Sequence, residues 1–88
     1  MNHIALLTDN ETEQKLIKIK FKLIIGIKNH KDKNNMTQKE LALKCGLTQS
    51  RISTILNGHI LKVSIDELMR VNYELGIKVK VITFLDFV

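Results

Sequence analysis

The sequence contains no proline, four glycines and one cysteine among its 88 residues. With so few chain breakers and 44% hydrophobic residues, the composition is that of one small folded domain and not of a disordered tail. A single cysteine, Cys45, excludes an internal disulfide, and its place in an apolar pattern favours a core position over a reactive thiol. We therefore expect one domain over residues 1–88, stabilised by one hydrophobic core.

Long hydrophobic runs and acidic residues are also scarce. No segment approaches the roughly 18 consecutive apolar residues of a membrane span. Met1 to Asn10 lacks the basic start and the apolar run of a secretory signal, so we expect a cytoplasmic protein. Nine acidic residues stand against 14 lysines and arginines, which gives a net charge of +5. This excess favours a polyanionic partner, either nucleic acid or an anionic membrane surface.

The constellations that support catalysis or metal binding are missing as well. The three histidines, His3, His30 and His59, fall in separate segments without a carboxylate or cysteine at metal-ligand spacing. No glycine-rich phosphate loop and no pairing of a nucleophile with a base can be found. We expect a protein that is not an enzyme and that has no metal site and no cofactor.

The stretch from Thr37 to Gly58, TQKELALKCGLTQSRISTILNG, has the pattern of two short helices joined by a tight turn. Gly46 lies between them, where such a turn favours a residue at positive φ. Thr37 and Glu40 form a capping box at the start of the first helix, and Thr48 caps the second. The apolar residues that would pack the two helices together are Leu41, Ala42, Cys45, Leu47, Ile52, Ile55 and Leu56. A helix-turn-helix motif is therefore predicted over residues 37–58.

The segments before the motif are less distinctive. Residues 3–7 (HIALL) suit a strand, a helical turn or a loosely packed arm equally well. A helix is expected to begin near residues 8–12 and to run to about Asn29. Residues 17–23 alternate as a strand would, but we favour a helix because the motif needs a supporting partner. The polar residues 30–35 (HKDKNN) then predict a loop.

After the motif, Ser64 and Glu67 suggest a second capping box that opens a helix ended by Gly76. Residues 77–84 (IKVKVITF) alternate with a period of two and are rich in β-branched side chains, which predicts a C-terminal strand. A strand needs a partner for its backbone, either the same strand of a second chain or residues 3–7. We favour pairing across a homodimer, and the residues that would form this dimer strand on one face are Ile77, Val79 and Val81.

The second helix of the motif would protrude from the domain and fit the major groove of DNA. With its apolar side turned to the core, its hydrogen-bonding side chains face outward. The candidates for base contacts are Gln49, Ser50, Arg51, Ser53 and Thr54. The candidates for contacts with the DNA backbone are Gln38, Lys39, Lys44, Asn57 and His59. The alternative interpretation is a solvated helix face, and that is what we expect of Lys15, Lys18, Lys20 and Lys22.

The motif resembles the XRE/Cro-repressor-like helix-turn-helix family. Gln38 opens it, Ala42 and Gly46 occupy its small positions, and Ile52 and Ile55 occupy its core positions. The resemblance implies a mainly α, lambda-repressor-like bundle in which Gln38 clamps a phosphate. Residues 61–81 (LKVSIDELMRVNYELGIKVKV) resemble the branch of HigA-type antitoxins, whose terminal strand pairs across a dimer.

The resemblance implies a sequence-specific repressor, most simply the antitoxin of a type II toxin–antitoxin pair that regulates its own operon. Its partners would be an operator with two half-sites, a second copy of the chain and a cognate toxin. One alternative is a stand-alone phage or anti-defence repressor of Cro type. Another is an interaction module whose basic helix binds an acidic protein and does not read DNA.

Overall fold

Four α-helices and one 3₁₀ turn follow one another in residues 9–79, which is the part of the chain described by the structure, a computed structural model. Helix α1 spans Glu11–Lys33, α2 spans Gln38–Cys45 and α3 spans Gln49–Leu56. The 3₁₀ turn spans Ile60–Lys62, and α4 spans Ile65–Glu74. The helix-turn-helix motif predicted from the sequence is thus formed by α2 and α3.

Each of the four helices begins at a side chain that accepts a hydrogen bond from the backbone. The capping residues are Asn10, Thr37, Thr48 and Ser64. At Thr37 the predicted capping box is complete, because the Thr37 backbone N–H also donates to Glu40 Oε1 at 2.9 Å. At Ser64 only half of the predicted box forms. Ser64 Oγ accepts from the Glu67 N–H at 3.1 Å, but the Glu67 carboxylate is turned toward α3.

All four helices end in the same way, with one residue in the left-handed conformation. These residues are Asn35, Gly46, Gly58 and Gly76. At Gly46, with φ 66°, the following N–H of Leu47 reaches back to the Ala42 carbonyl at 2.9 Å, which closes α2 as a Schellman motif. Glycine adopts this φ without the clash that a β-carbon would cause. The predicted turn at Gly46 is confirmed.

Helix α1 resolves the choice between helix and strand in favour of the helix. It is longer than predicted, because His30 to Lys33 form its last turn and are not part of a loop. Polarity misleads here, since basic side chains are favourable near the negative end of a helix dipole. The helix ends where Asn34 Nδ2 donates to the His30 carbonyl at 2.8 Å and Asn35 takes φ 52°.

The hydrophobic core lies where α1 packs against α4 and α2 packs against α3. Its buried members are Ile17, Leu23, Ile24, Ile27, Leu41, Ala42, Ile52, Ile55, Leu56, Ile60, Val63, Leu68, Val71 and Leu75. The predicted apolar residues of the motif are all in this core or packed against its edge. Cys45 is half-buried there, and this burial raises the pKa of its thiol above the ordinary value of 9.0, as expected of an inert core cysteine.

Asn72 is a polar side chain inside this core, with 2% of its surface exposed. Its Nδ2 donates to the Leu68 carbonyl of α4 at 2.7 Å and to the Leu23 carbonyl of α1 at 3.3 Å. Gly26 faces it from α1, and a β-carbon at Gly26 would lie 3.2 Å from Asn72 Oδ1. The close approach of α1 and α4 therefore depends on a small residue opposite a buried amide.

The prediction of a C-terminal β-strand is wrong for the part of it that the structure describes. Residues 77–79 are irregular backbone, and residues 9–79 contain no strand, so the bundle is all-helical where it is described. The Ile77 N–H donates to the Asn72 carbonyl at 2.9 Å, and Ile77 and Val79 pack against the core. A segment of alternating apolar and polar residues forms a strand only when a second strand pairs with its backbone. Here the apolar side chains of the segment are partly buried against the helical core instead. Val81 and residues 3–7 lie outside the described residues.

Candidate nucleic-acid interface

Helix α3 is held to the body of the protein by one apolar side. Ile52 and Ile55 are fully buried, and Leu56 is nearly so. The cap at Thr48 accepts from the Arg51 N–H at 3.1 Å and fixes where the helix starts. Because the buried residues take up only this side, the other side of α3 remains available for a partner.

The predicted base-contact residues lie on that outer side, but they differ in exposure and in the hydrogen bonds that their side chains already make. Gln49 and Ser50 are exposed, and their side chains make no hydrogen bond within the described part of the chain. Thr54 is half-buried and its hydroxyl donates to the Ser50 carbonyl at 3.1 Å. Ser53 is half-buried too, and its Oγ accepts from Asn57 Nδ2 at 3.1 Å. The start of α3 therefore presents the most accessible hydrogen-bonding groups.

Arg51 does not share this orientation, because its guanidinium is turned back toward α4. Nε donates to Glu67 Oε2 at 2.7 Å, and Nη2 donates to the Lys62 carbonyl at 2.7 Å and also to Glu67 Oε1. The hydrogen bonds that the guanidinium donates to Glu67 raise the pKa of Arg51, which favours the charged form of this side chain. A base contact by Arg51 remains a prediction, and it would require this arrangement to open.

The N-terminus of α2 is an exposed candidate for a phosphate contact. Gln38 and Lys39 are its first two residues, and both are exposed. The neighbouring Glu40 carboxylate is occupied by the capping box, and its hydrogen bonds from Thr37 lower the pKa of Glu40. Backbone N–H groups at a helix start, together with the helix dipole, favour an anion at this position.

The other predicted backbone contacts surround α3. Lys44 is exposed in the last turn of α2, while Asn57 and His59 are exposed just after α3. Residues 36–63 carry four lysines and arginines but only one acidic residue, Glu40. These residues therefore carry a positive balance, as α1 does, and suit the approach of DNA phosphates.

Two contacts around the motif could not be found from the sequence. Lys20, expected on a solvated face, is half-buried, and its Nζ donates to the Ile60 carbonyl at 3.2 Å. Arg51 and Glu67 stand 16 residues apart, a spacing that marks no motif. The sequence does draw attention to Glu67, but as the acidic residue of a capping box and not as a partner for Arg51.

The rest of the surface formed by residues 9–79 contains grooves but no cluster of metal-binding side chains. A groove of about 420 Å³ lies between the end of α2 and α4, lined in part by Leu47, Glu67, Arg70 and Glu74. Among residues 9–79 no group of three or more histidine, cysteine, aspartate or glutamate side chains is arranged to hold a metal ion. None of the helices in the same range combines the length and hydropathy that a bilayer crossing requires.

Comparison with known proteins supports the assignment of the motif. A family model described as a helix-turn-helix domain matches residues 6–82. The chain has no significant match among curated proteins or among solved structures. The match agrees with the resemblance to XRE-like helix-turn-helix proteins and does not single out the HigA-type branch. Since the model covers most of the sequence and the structure contains the motif, the chain belongs to the helix-turn-helix domain family.

Proposed function

We propose that this protein is a sequence-specific, DNA-binding transcriptional repressor that places α3 in the major groove. The observation that carries the proposal is the pair Gln49 and Ser50 at the start of a helix whose opposite side is buried. Both residues are exposed, and their side chains make no hydrogen bond in the described chain. The family assignment supports DNA as the partner. The contacts of such a helix with base edges are what give sequence specificity.

The outer residues of α3 have the chemistry that this task needs. The carboxamide of Gln49 can bond adenine through its N6 and N7 atoms. The hydroxyls of Ser50, Ser53 and Thr54 can exchange hydrogen bonds with either kind of base pair, and the Thr54 methyl suits a thymine methyl. Helix α3 itself contains no acidic residue that would repel the phosphates on either side of the groove.

Contacts with the DNA backbone would position α3 in the groove. We assign the central role to Gln38 and Lys39, because they stand at the start of α2 where free N–H groups and the helix dipole favour a phosphate. Lys44, Asn57 and His59 are the further candidates on the flanks of the motif. Such contacts fix the register of the protein on the duplex without reading its sequence.

A homodimer is part of this proposal. Helix α3 has eight residues and is about 12 Å long, so one copy can read only a few base pairs. Two copies related by a two-fold axis would read two half-sites whose centres lie about 34 Å apart. The contact between the copies need not involve residues 77–79, which pack against the core of their own chain.

We further propose that the protein acts in the cytoplasm as the antitoxin of a toxin–antitoxin pair and represses its own operon. Support comes from the resemblance of residues 61–81 to HigA-type antitoxins. Expressing each neighbouring gene alone and together with this chain, and scoring growth and co-purification, tests this role. A toxic neighbour that the chain both neutralises and retains supports the antitoxin. If no neighbour is toxic or retained, the protein is a stand-alone repressor.

The DNA-binding proposal is tested by selecting bound duplexes from a random pool and then measuring the affinity of Gln49→Ala for the selected site. We expect the substitution to weaken binding by about 1–3 kcal/mol and to relax the preference at the one or two base pairs that Gln49 reads. Binding can be measured by fluorescence anisotropy at a fixed salt concentration, since phosphate contacts make affinity depend on salt.

Asn29→Ala is the matched control, because it also removes an exposed carboxamide but lies on α1, outside the motif. It should leave both affinity and base preference unchanged. Equal losses for all DNA sequences in Gln49→Ala would remove Gln49 from the set of base contacts. If the wild-type chain selects no sequence at all, the interaction module that binds an acidic protein becomes the better explanation.

A further inference from the structure

Arg51 joins two parts of the fold that are distant in sequence. It is the third residue of α3, yet its guanidinium donates to the Lys62 carbonyl and to both oxygens of Glu67 in the first turn of α4. The side chains of Arg51 and Glu67 are 35% and 22% exposed, so solvent competes only partly with this ion pair. Because two parallel hydrogen bonds join the planar guanidinium to the carboxylate, they fix the relative orientation of the two groups as well as their distance.

The segment that Arg51 holds is itself attached to the longest helix. The Ile60 carbonyl accepts a hydrogen bond from Lys20 Nζ of α1 at 3.2 Å, and Ile60 and Val63 are buried in the core. Residues 60–67 are therefore a fixed reference for anything bonded to them. The hydrogen bonds of Arg51 attach the first turn of α3 to residues 60–67, and they add to the apolar packing that holds the rest of α3.

The hydrogen bonds of Arg51 lie next to the proposed base contacts. Gln49 and Ser50 directly precede Arg51, and their side chains make no hydrogen bond in the described chain. The other side-chain hydrogen bonds in this turn are local ones within the motif, from the Thr54 hydroxyl to the Ser50 carbonyl and from the Arg51 N–H to Thr48. The apolar contacts of Ile52 and Ile55 hold one side of α3 but come after its first two residues. Misplacement of a contacting group by a fraction of an ångström weakens a hydrogen bond, because these bonds depend steeply on distance and angle.

We propose that Arg51 is a positioning residue that sets DNA specificity indirectly, by holding the first turn of α3 to residues 62–67 so that Gln49 and Ser50 meet their bases at a fixed angle. This inference rests on the proposed DNA-binding function. It differs from direct, two-point reading of guanine by Arg51, since Nε and Nη2 of the guanidinium are already engaged by Glu67 and the Lys62 carbonyl.

The test is Glu67→Gln, which removes the ion pair but leaves Arg51 and its charge in place. Its matched control is Asp66→Asn, which makes the same charge change at an exposed neighbour in the same turn of α4. Affinity is measured for the duplex selected by the wild type and for a random-sequence duplex, and the ratio of the two is the readout. Thermal unfolding and circular dichroism establish that each variant is folded.

We expect Glu67→Gln to lower the ratio of specific to random-sequence affinity by about tenfold, the size of one lost charge-assisted hydrogen bond. Loss of a negative charge should at the same time tighten binding to random DNA, as it should in Asp66→Asn. Preference should weaken at all the base pairs read by the start of α3. In the control the ratio should not change.

Two results would overturn the inference. A higher ratio in Glu67→Gln would mean that Glu67 only restrains an arginine that reads a base directly. An unchanged ratio would mean that the ion pair has no part in specificity. Failure of the proposed function is distinguishable from both, because then the wild-type chain itself would show no preferred sequence.

If Glu67→Gln does not fold, Arg51→Lys decides in its place. Lysine keeps the charge but cannot satisfy Glu67 and the Lys62 carbonyl in one plane. A positioning role predicts weaker preference across every base pair read by the first turn of α3. Loss confined to a single guanine, or no loss, would overturn the inference.

Discussion

At the scale of single residues, the pairing of Thr37 and Glu40 shows how one helix start responds to pH. The Glu40 carboxylate accepts the Thr37 N–H at 2.9 Å, and the Thr37 hydroxyl accepts the Glu40 N–H at 3.1 Å. Hydrogen bonding of the carboxylate to Thr37 lowers the pKa of Glu40 below its ordinary value of 4.5, with the Thr37 backbone N–H as the larger cause and the Thr37 side chain as the smaller. Helix α2 is therefore stabilised by the ionised form of Glu40.

We predict that Glu40→Gln removes a pH-dependent part of the stability. A carboxylate whose pKa is lower in the folded protein stabilises it above the unfolded pKa, and this stabilisation disappears as pH falls through the folded pKa. Wild type and variant should thus differ in their urea midpoints at pH 7 and converge below pH 4.5. Glu74→Gln, the same change at an exposed carboxylate on α4, is the matched control. A constant difference at every pH would contradict the assignment.

Thr37→Ala addresses the other half of the same capping box. Loss of the hydroxyl leaves the Glu40 N–H without its acceptor and should lower the free energy of unfolding by about 1 kcal/mol. Thr37→Ser keeps an acceptor at the same position and serves as the control. Chemical denaturation that gives equal losses for the two variants would show that the hydroxyl contributes nothing.

At the scale of secondary-structure elements, the packing of α1 on α4 depends on Gly26 and Asn72. In an isolated helix, alanine is more favourable than glycine by about 1 kcal/mol. Here a β-carbon at Gly26 would lie 3.2 Å from Asn72 Oδ1, and Asn72 is buried and held by hydrogen bonds to Leu23 and Leu68. The crowding should therefore outweigh the gain in helix propensity.

We predict that Gly26→Ala destabilises the protein by about 1 kcal/mol. In a chain that already carries Asn72→Ala, the same substitution should be stabilising, because the amide that it would crowd is gone. Thermal or urea unfolding of the four proteins of this double-mutant cycle measures the coupling between the two sites. Equal effects of Gly26→Ala in both backgrounds would show that the two helices adjust freely.

At the scale of the whole molecule, the net charge of +5 makes DNA binding sensitive to salt, but only charges that contact phosphates should set the slope. We predict that Lys39→Ala reduces the slope of log affinity against log salt by about one. Lys28→Ala removes the same charge from the exposed surface of α1, outside the motif, and should leave the slope unchanged. Equal reductions in both variants would mean that Lys39 makes no particular phosphate contact.

The sequence was most informative where structure is decided by neighbours along the chain. Thr37, Thr48 and Ser64 cap helices because each presents an oxygen to an N–H three residues on. Gly46 and Gly76 end helices because of their own backbone freedom. Local signals of this kind, together with the spacing of Ile52 and Ile55, determined the motif and the outer side of α3.

Local polarity and alternation were poorer guides. Residues 30–33 are as polar as a loop but form the end of α1, since nothing in them prevents helix formation before Asn35. Residues 77–79 alternate like a strand but lie against the core as irregular backbone. In both segments the outcome depended on what the rest of the fold placed beside them.

By itself, then, the sequence determined where most of the helices start and stop, which residues of the motif are buried, and which family the chain belongs to. Only the tertiary structure decided the partners of Asn72, Lys20 and Arg51. Each of these side chains bonds to a group at least 16 residues away, and two of those partners are backbone carbonyls, which every residue possesses. Such contacts have no local sequence pattern, because they form only when distant segments of the chain fold together.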